Sequence, residues 1–310
     1  MQENPSIIPN FLVIGAGKSG TTALYHHLAA HPEVYMSAVK ETNFFALEGT
    51  EIVNPENDPE QRFHYPWSIT EWSAYQALFE GVTTQKAVGE VSPMYLYNPV
   101  APGNIQERLP DVKLVAILRQ PADRLYSRYL HLAREGREPT ENFEDAMDAQ
   151  SIWWERNDLI REGFYFTYLK RYFELFDPSN IRVYLYEDLK NNPDKLLKNL
   201  YGFLQVDENF QPDLDAKPNV SGKIKNKHLD KLVGQNSLLK SGIKAISPVL
   251  FEAVRNQRWL KKNIEQVRNR NLVRPRINPE TRYQLTHQVY RREILQLQHL
   301  IDRDLTHWLS

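Results

Sequence analysis

The sequence predicts an α/β fold, a parallel β-sheet flanked by helices. Three observations carry that expectation. Short strand-like runs recur at Phe11–Ile14, Lys86–Glu90, Val112–Leu118 and Ile181–Leu185. The Val/Leu/Ile run at 112–118 is near-continuous, as in a strand covered on both faces. Stretches at helical spacing separate these runs, and strands alternating with helices imply parallel pairing through crossovers.

Taken in order, Thr21–Ala30 places Leu24 and Leu28 on one helix face. Residues 49–69 are polar and Pro-rich, which predicts a long surface loop. Pro121–Ala133 is a helix with Pro in its first turn, where the missing N–H costs nothing. Phe164–Phe176 is aromatic and helical, and Asn192-Pro193 opens a helix with an apolar stripe of Leu196, Leu197, Leu200 and Leu204. Pro248–Ile264 and Glu280–Leu300 read as late helices, the second with Leu285, Val289, Ile294, Leu297 and Ile301 facing the core. There is no internal repeat and no clear linker, so one domain over residues 1–310 is expected.

Hydrophobic residues make up 41% and charged residues 25%, which excludes a disordered chain. The absence of cysteine excludes disulfide frameworks, thiol nucleophiles and thiolate metal sites. The longest apolar runs are about five residues, against the ~20 that a spanning helix needs. No basic residue precedes Lys18, so no positive region heads a signal peptide. The expectation is a cytoplasmic protein with no membrane span, or one trimmed of a targeting segment. Net charge is −1, but residues 217–276 carry fifteen Lys/Arg against three acids. Such a segment is either a solvated basic surface or faces an anionic group. Its basic residues do not alternate with aromatics, Phe251 and Trp259 being the only two there, and it has no nucleic-acid motif, so no nucleic-acid partner is expected.

The first strand runs into Gly15-Ala-Gly17-Lys18-Ser19-Gly20-Thr21-Thr22, with a helix beginning at the hydroxyl residues. Glycines let backbone approach a ligand, amides at a helix start converge on one point, and Lys18 adds a full charge. These features predict a phosphate cradle over 15–22. A Walker A loop would need a Gly where Leu12 stands, so the turn is too short to wrap a nucleoside triphosphate. It suits a single phosphate or phosphosulfate.

A second strand end reads Leu118-Arg119-Gln-Pro-Ala-Asp-Arg124-Leu-Tyr-Ser127. A kinase would usually carry a magnesium-binding Asp at a neighbouring strand end; here Arg119 stands there. With Ser127 about two turns into the next helix, the pair can clamp a second phosphate.

Together, Lys18-Ser-Gly-Thr-Thr22 and the Arg-x-Pro-x-x-Arg-x-x-Ser run at 119–127 resemble the sulfotransferases that use 3′-phosphoadenosine 5′-phosphosulfate (PAPS). The likeness is to the bacterial and heparan-type branch, and it implies the P-loop-like sulfotransferase fold. It implies that Gly17, Lys18, Ser19, Gly20, Thr21 and Thr22 bind the 5′ end and that Arg119 and Ser127 bind the 3′-phosphate. The product would be adenosine 3′,5′-bisphosphate (PAP), and no metal would be needed. Tyr184-Leu-Tyr186-Glu-Asp matches the strand end whose Tyr touches adenine, here Tyr186. Asn219-Val-Ser-Gly-Lys223-Ile-Lys225 is similar to the basic loop that closes over the nucleotide. Ala23 replaces the adenine-stacking aromatic of the cytosolic aryl and steroid enzymes, and their Lys-Thr-His run is missing.

Sulfuryl transfer sets an acceptor oxygen or nitrogen in line with sulfur and expels a phosphate, so it calls for a base and for charge stabilisation on the leaving oxygen, the role open to Lys18. Lys40-Glu41-Thr-Asn43-Phe-Phe45 resembles the Lys-Glu-x-His-Phe-Phe motif whose Glu is the base, here Glu41, with Asn43 in place of His. Glu90-Val91-Ser92-Pro93-x-Tyr95 resembles the branch's Glu-Lys-Ser/Thr-Pro-x-Tyr run, with Val91 in place of Lys. Glu90, at a strand end expected to face the same crevice, is a second candidate base or acceptor ligand. The acceptor is a hydroxyl or amine of a glycan or small molecule, for which Trp67, Trp72, Trp153 and Trp154 are candidate stacking surfaces; oligomeric state is left open. Two other readings are a nucleotide or nucleoside kinase with an atypical loop and a non-catalytic polyanion binder.

Overall fold

The computed structural model describes residues 7–52, 67–212, 223–224, 272–273 and 275–310. In chain order the elements are β1 (Phe11–Gly15), α1 (Thr21–Ala30), β2 (Val34–Met36), α2 (Phe44–Leu47), α3 (Trp72–Ala77), β3 (Ala87–Val91), α4 (Met94–Tyr97) and α5 (Ala101–Arg108). There follow β4 (Lys113–Leu118), α6 (Pro121–Glu135), α7 (Ile152–Glu155), α8 (Tyr165–Leu175), β5 (Ile181–Leu185), α9 (Tyr186–Asn191) and α10 (Pro193–Leu204). The described residues fall into two compact units, the larger comprising Met1–Leu125, Glu144–Pro218 and Pro279–Ser310, the smaller Tyr126–Phe143 and Asn219–Asn278.

The larger unit is built on a five-stranded sheet in the order β2-β3-β1-β4-β5, every pairing parallel. Residues 11–14 of central β1 are fully buried. Phe11 and Val13 join Leu24 and Leu28 of α1 and Leu196, Leu197, Leu200 and Leu204 of α10 in one apolar cluster. Leu12 and Ile14 alternate with them and point to the other face. There α4 packs on β1 and α8, and the Tyr172 hydroxyl donates to the Tyr95 carbonyl at 2.7 Å. The chain leaves β1 toward β2 and β3 on one side and later toward β4 and β5 on the other. That reversal places a crevice at the carboxyl ends of β1 and β4, where open α/β sheets bind ligands.

The structure departs from the sequence reading in several elements, the short helices α2–α5, α7 and α9 among them. Strand β2 was not foreseen, because its three residues are too few to show alternation. The helical run from Pro279 to Leu300 contains a π turn at Leu285–Tyr290. The wider turn re-phases the apolar stripe: Leu285, Tyr290, Ile294 and Leu297 are buried, whereas Val289 and Ile301 are only half-buried. The helix expected at Pro248–Ile264 and residues 53–66 of the expected loop lie outside the described residues.

In the smaller unit, Tyr126, Tyr129 and Phe143 form an aromatic cluster. The Tyr126 hydroxyl donates to the Arg276 carbonyl at 3.3 Å. Two short antiparallel strands, β6 (Lys223–Ile224) and β7 (Leu272–Val273), pair there.

Candidate active site

The glycine-rich loop is fixed to its neighbour strand by the Ala16 amide, which donates to the Ile117 carbonyl at 2.7 Å. Lys18 takes a left-handed conformation at φ 65°, costly for a residue with a side chain and common at functional loops. Gly20 has φ 101°, and a Cβ there would come within 2.9 Å of Leu189 and 3.3 Å of Tyr186. Only glycine meets both demands. Gly20 offers no side-chain cap to α1, so the first-turn amides at Thr21 and Thr22 head the helix in the way that receives an anion. Ser19 is fully buried, and its Oγ has no hydrogen-bond partner among the described residues, although it lies beside the Tyr165 hydroxyl. An orphaned hydroxyl, uncapped amides and a Lys at one loop fit an anionic group.

Gly17 behaves differently from its neighbours. Its amide donates to Oε1 of Glu162 at 2.6 Å, so that N–H is already matched by the protein. The guanidinium of Arg119 lies 4.9 Å from the Tyr186 ring, and its Nη1 donates to the Lys18 carbonyl at 3.4 Å. The Tyr165 hydroxyl holds the Arg119 carbonyl at 2.9 Å.

Tyr186 owes its place to the two acids after it. Asp188 accepts from the Leu185 amide at 2.9 Å, and Arg303 grips Asp188 at 2.6 and 2.5 Å. Burial alone would raise the Asp188 carboxyl; the Arg303 and Leu185 hydrogen bonds outweigh it and hold the group below its ordinary range. Trp308 Nε1 donates to Glu187 at 2.8 Å. The acids therefore anchor the C-terminal segment and leave the Tyr beside the loop. Ser127 is buried on α6 in the smaller unit. Lys223 heads β6 in that unit, without a described side chain, and Lys225 lies outside the described residues.

Glu41 and Asn43 are both left-handed, at φ 62° and 56°, on the turn between β2 and α2. The Glu41 amide donates to the Val91 carbonyl at 2.8 Å. Its carboxylate pairs with Lys40, and its side chain keeps 23% exposure. Glu90, in β3, has none. It is sealed inside a ring of hydroxyls, with Ser92 donating to Oε2 at 2.7 Å and Tyr75 to Oε1 at 3.4 Å. Burial pushes the Glu90 carboxyl up to about 7 despite the hydroxyls of Tyr95, Ser92, Thr42 and Tyr75. The Ser92 hydroxyl also accepts from the Asn43 amide at 3.1 Å. Glu90 thus reaches the Glu41 turn through one hydroxyl, and does not open onto the crevice as the sequence suggested.

Three of the four tryptophans proposed as acceptor platforms are otherwise engaged. Trp153 is fully buried. Trp154 packs on Phe164 and donates to the Ala146 carbonyl at 3.1 Å. Trp72 is stacked on Tyr75 and lies under the Arg108 guanidinium. Trp67 is 50% exposed, and its neighbour Ser68 accepts from Asn43 Nδ2 at 3.0 Å.

The sequence reading missed Glu162. The only hint available was Arg124, inside the second motif yet given no role there; it is fully buried and pairs with Glu162 Oε2 at 2.6 Å.

Comparison with known proteins agrees with this geometry. The sequence profile of the sulfotransferase family matches residues 9–212, a span that holds the glycine loop, the run at 119–127 and Tyr186. The membrane-associated sulfotransferase kil1 of Dictyostelium discoideum is 30% identical over 122 residues, 39% of this chain and 22% of that protein. The bifunctional heparan sulfate N-deacetylase/N-sulfotransferase 2 of Homo sapiens is 26% identical over 208 residues, 64% of this chain and 22% of the relative. The chain thus spans about a fifth of the length of these relatives. A crystal structure of a sulfotransferase from Alicyclobacillus acidocaldarius superposes with a TM-score of 0.71 at 25% identity, covering 98% of this chain and 100% of that one. With most of the chain matched by the profile and its motifs assembled at one sheet edge, the protein belongs to the sulfotransferase family.

Proposed function

We propose that the chain transfers a sulfuryl group from PAPS to a hydroxyl or amine of a carbohydrate or small-molecule acceptor, releasing PAP. One observation carries this reading. Arg119, Tyr186 and the Lys18–Gly20 turn, far apart in sequence, meet at the carboxyl edge of the sheet. A donor with phosphates on both the 3′ and 5′ positions of its ribose calls for such residues together. The orphaned Ser19 hydroxyl and the uncapped start of α1 fit its 5′ end. When bound, PAPS supplies a sulfuryl group on a phosphate leaving group.

In this reading Lys18, Ser19, Gly20, Thr21 and Thr22 hold the 5′ end, Arg119 the 3′-phosphate, and Tyr186 the adenine. Lys18 offers positive charge where negative charge grows. Glu41, the reachable carboxylate, takes the acceptor's proton. Glu90 supports the Glu41 turn through Ser92. The relatives' printed names include heparan sulfate N-sulfotransferases and a carbohydrate sulfotransferase, which favours a carbohydrate acceptor.

The test compares PAP with ATP-Mg in thermal unfolding. PAP at about 100 times its dissociation constant should add ~2.7 kcal/mol of stability, and ATP-Mg should add much less. Equal stabilisation by both, or none by PAP at millimolar concentration, overturns the reading.

A further inference from the structure

We infer that Glu162 is a positioning residue for the 5′-phosphate side of the nucleotide site, an inference that rests on the function proposed above. Glu162 lies 145 residues beyond Gly17, yet its Oε1 accepts the Gly17 amide at 2.6 Å. Its other oxygen, Oε2, accepts from Arg124 Nη1 at 2.6 Å, and the two side chains are 3% and 0% exposed. Arg124 also donates to the carbonyls of Asp158 and Leu159, which fixes it against the segment that carries Glu162.

A bare carboxylate next to a phosphate cradle would repel the ligand. The paired Arg124 cancels that charge, so what remains is an acceptor of fixed direction for one loop amide. Replacing a buried ion pair by apolar groups is often neutral or stabilising, so stability alone is a weak reason to retain one. Here the pair sets the start of a loop whose next residues are Lys18, Ser19 and Gly20. Gly17 fits the same account. It does not occupy the left-handed region, so alanine is tolerable to its backbone, but a Cβ would sit 2.8 Å from Glu162 Oε1. Glycine is needed there because the carboxylate is there.

The experiment measures calorimetric affinities for PAP and for adenosine 3′-monophosphate, which lacks the 5′-phosphate. The proteins are wild type, Glu162→Ala, Glu162→Gln, Gly17→Ala and the Gly17→Ala/Glu162→Ala double variant. Glu162→Ala should lose roughly 10–100-fold for PAP, the range set by one charge-assisted hydrogen bond, and leave adenosine 3′-monophosphate nearly unchanged. Glu162→Gln should recover part of the loss, since its amide oxygen can still accept from Gly17. Gly17→Ala should weaken PAP on its own and add little once Glu162 is Ala. Should Glu162→Ala fail to fold once Arg124 loses that carboxylate, Gly17→Ala decides, because it keeps both charges. Equal losses for the two ligands, unchanged PAP affinity, or strictly additive effects overturn the inference. A wild type that binds neither ligand overturns the nucleotide reading itself.

Discussion

Replacing Glu90 with Gln should stabilise the protein at alkaline pH and leave it close to wild type in acid. The carboxyl lies in β3 with no solvent exposure, and burial lifts it from 4.5 to about 7 against the pull of the surrounding hydroxyls. A displacement of that size corresponds to about 3 kcal/mol. Between those two values the folded protein keeps a proton that the unfolded chain has released. Stability from this group is therefore complete below about 4.5 and is lost as pH rises through about 7. Gln does not titrate, and its carbonyl can still accept from Ser92. In urea titrations the variant should lie within about 1 kcal/mol of wild type at pH 5 and exceed it by about 3 kcal/mol at pH 8, with an unchanged slope. A gap that stays constant, or a variant that loses ground at pH 8, would show that the hydroxyl ring holds Glu90 ionised and would refute the argument.

Arg119→Ala should raise the Michaelis constant for the donor far more than it lowers turnover at saturation, because the 3′-phosphate does not change during transfer; turnover that saturating donor fails to restore removes the 3′-phosphate assignment. Glu41→Gln should lower turnover about 10²–10⁴-fold while PAP affinity, measured by calorimetry, holds; near-normal turnover would pass the base role to another group.

The sheet and its main helices were legible in the sequence, and the runs at 15–22 and 119–127 stood out there, because each depends on local pattern. The Lys18–Thr22 turn is five consecutive residues, and the apolar stripe at Leu196–Leu204 repeats at helical spacing. What was not legible depends on distant partners. The Glu162 carboxylate meets Gly17 across 145 residues and the Gln120 side chain meets Thr286 across 166; no spacing rule covers such pairs. The tryptophans show the same limit. Trp153 and Trp154 are adjacent in sequence, yet one is sealed in the core and the other is half-buried on Phe164, because a single step along helix α7 turns a side chain by roughly 100°.

Glu41 and Glu90 illustrate how burial separates two candidates for one role. Glu41 lies on the turn after β2 and Glu90 within β3, and both sit in runs that resemble family motifs. Glu41, on a left-handed turn, keeps part of its side chain in solvent beside Lys40. Glu90 faces inward from β3, which pairs with β1 and β2, and its side chain has no exposure. A proton acceptor must touch the group it deprotonates, so the exposure difference favours Glu41. The link from Glu90 through Ser92 to the Asn43 amide then gives the sealed carboxyl a mechanical part. Ser92 donates to Glu90 and so turns a lone pair toward Asn43, which fastens the far end of the turn that carries Glu41. Glu162 and Gly17 repeat the device at the glycine-rich loop, where another buried carboxylate fixes a loop amide. At both places the acid that sets the geometry is shielded from solvent, while the side chain or amides left to meet a ligand stand on the turn that it holds.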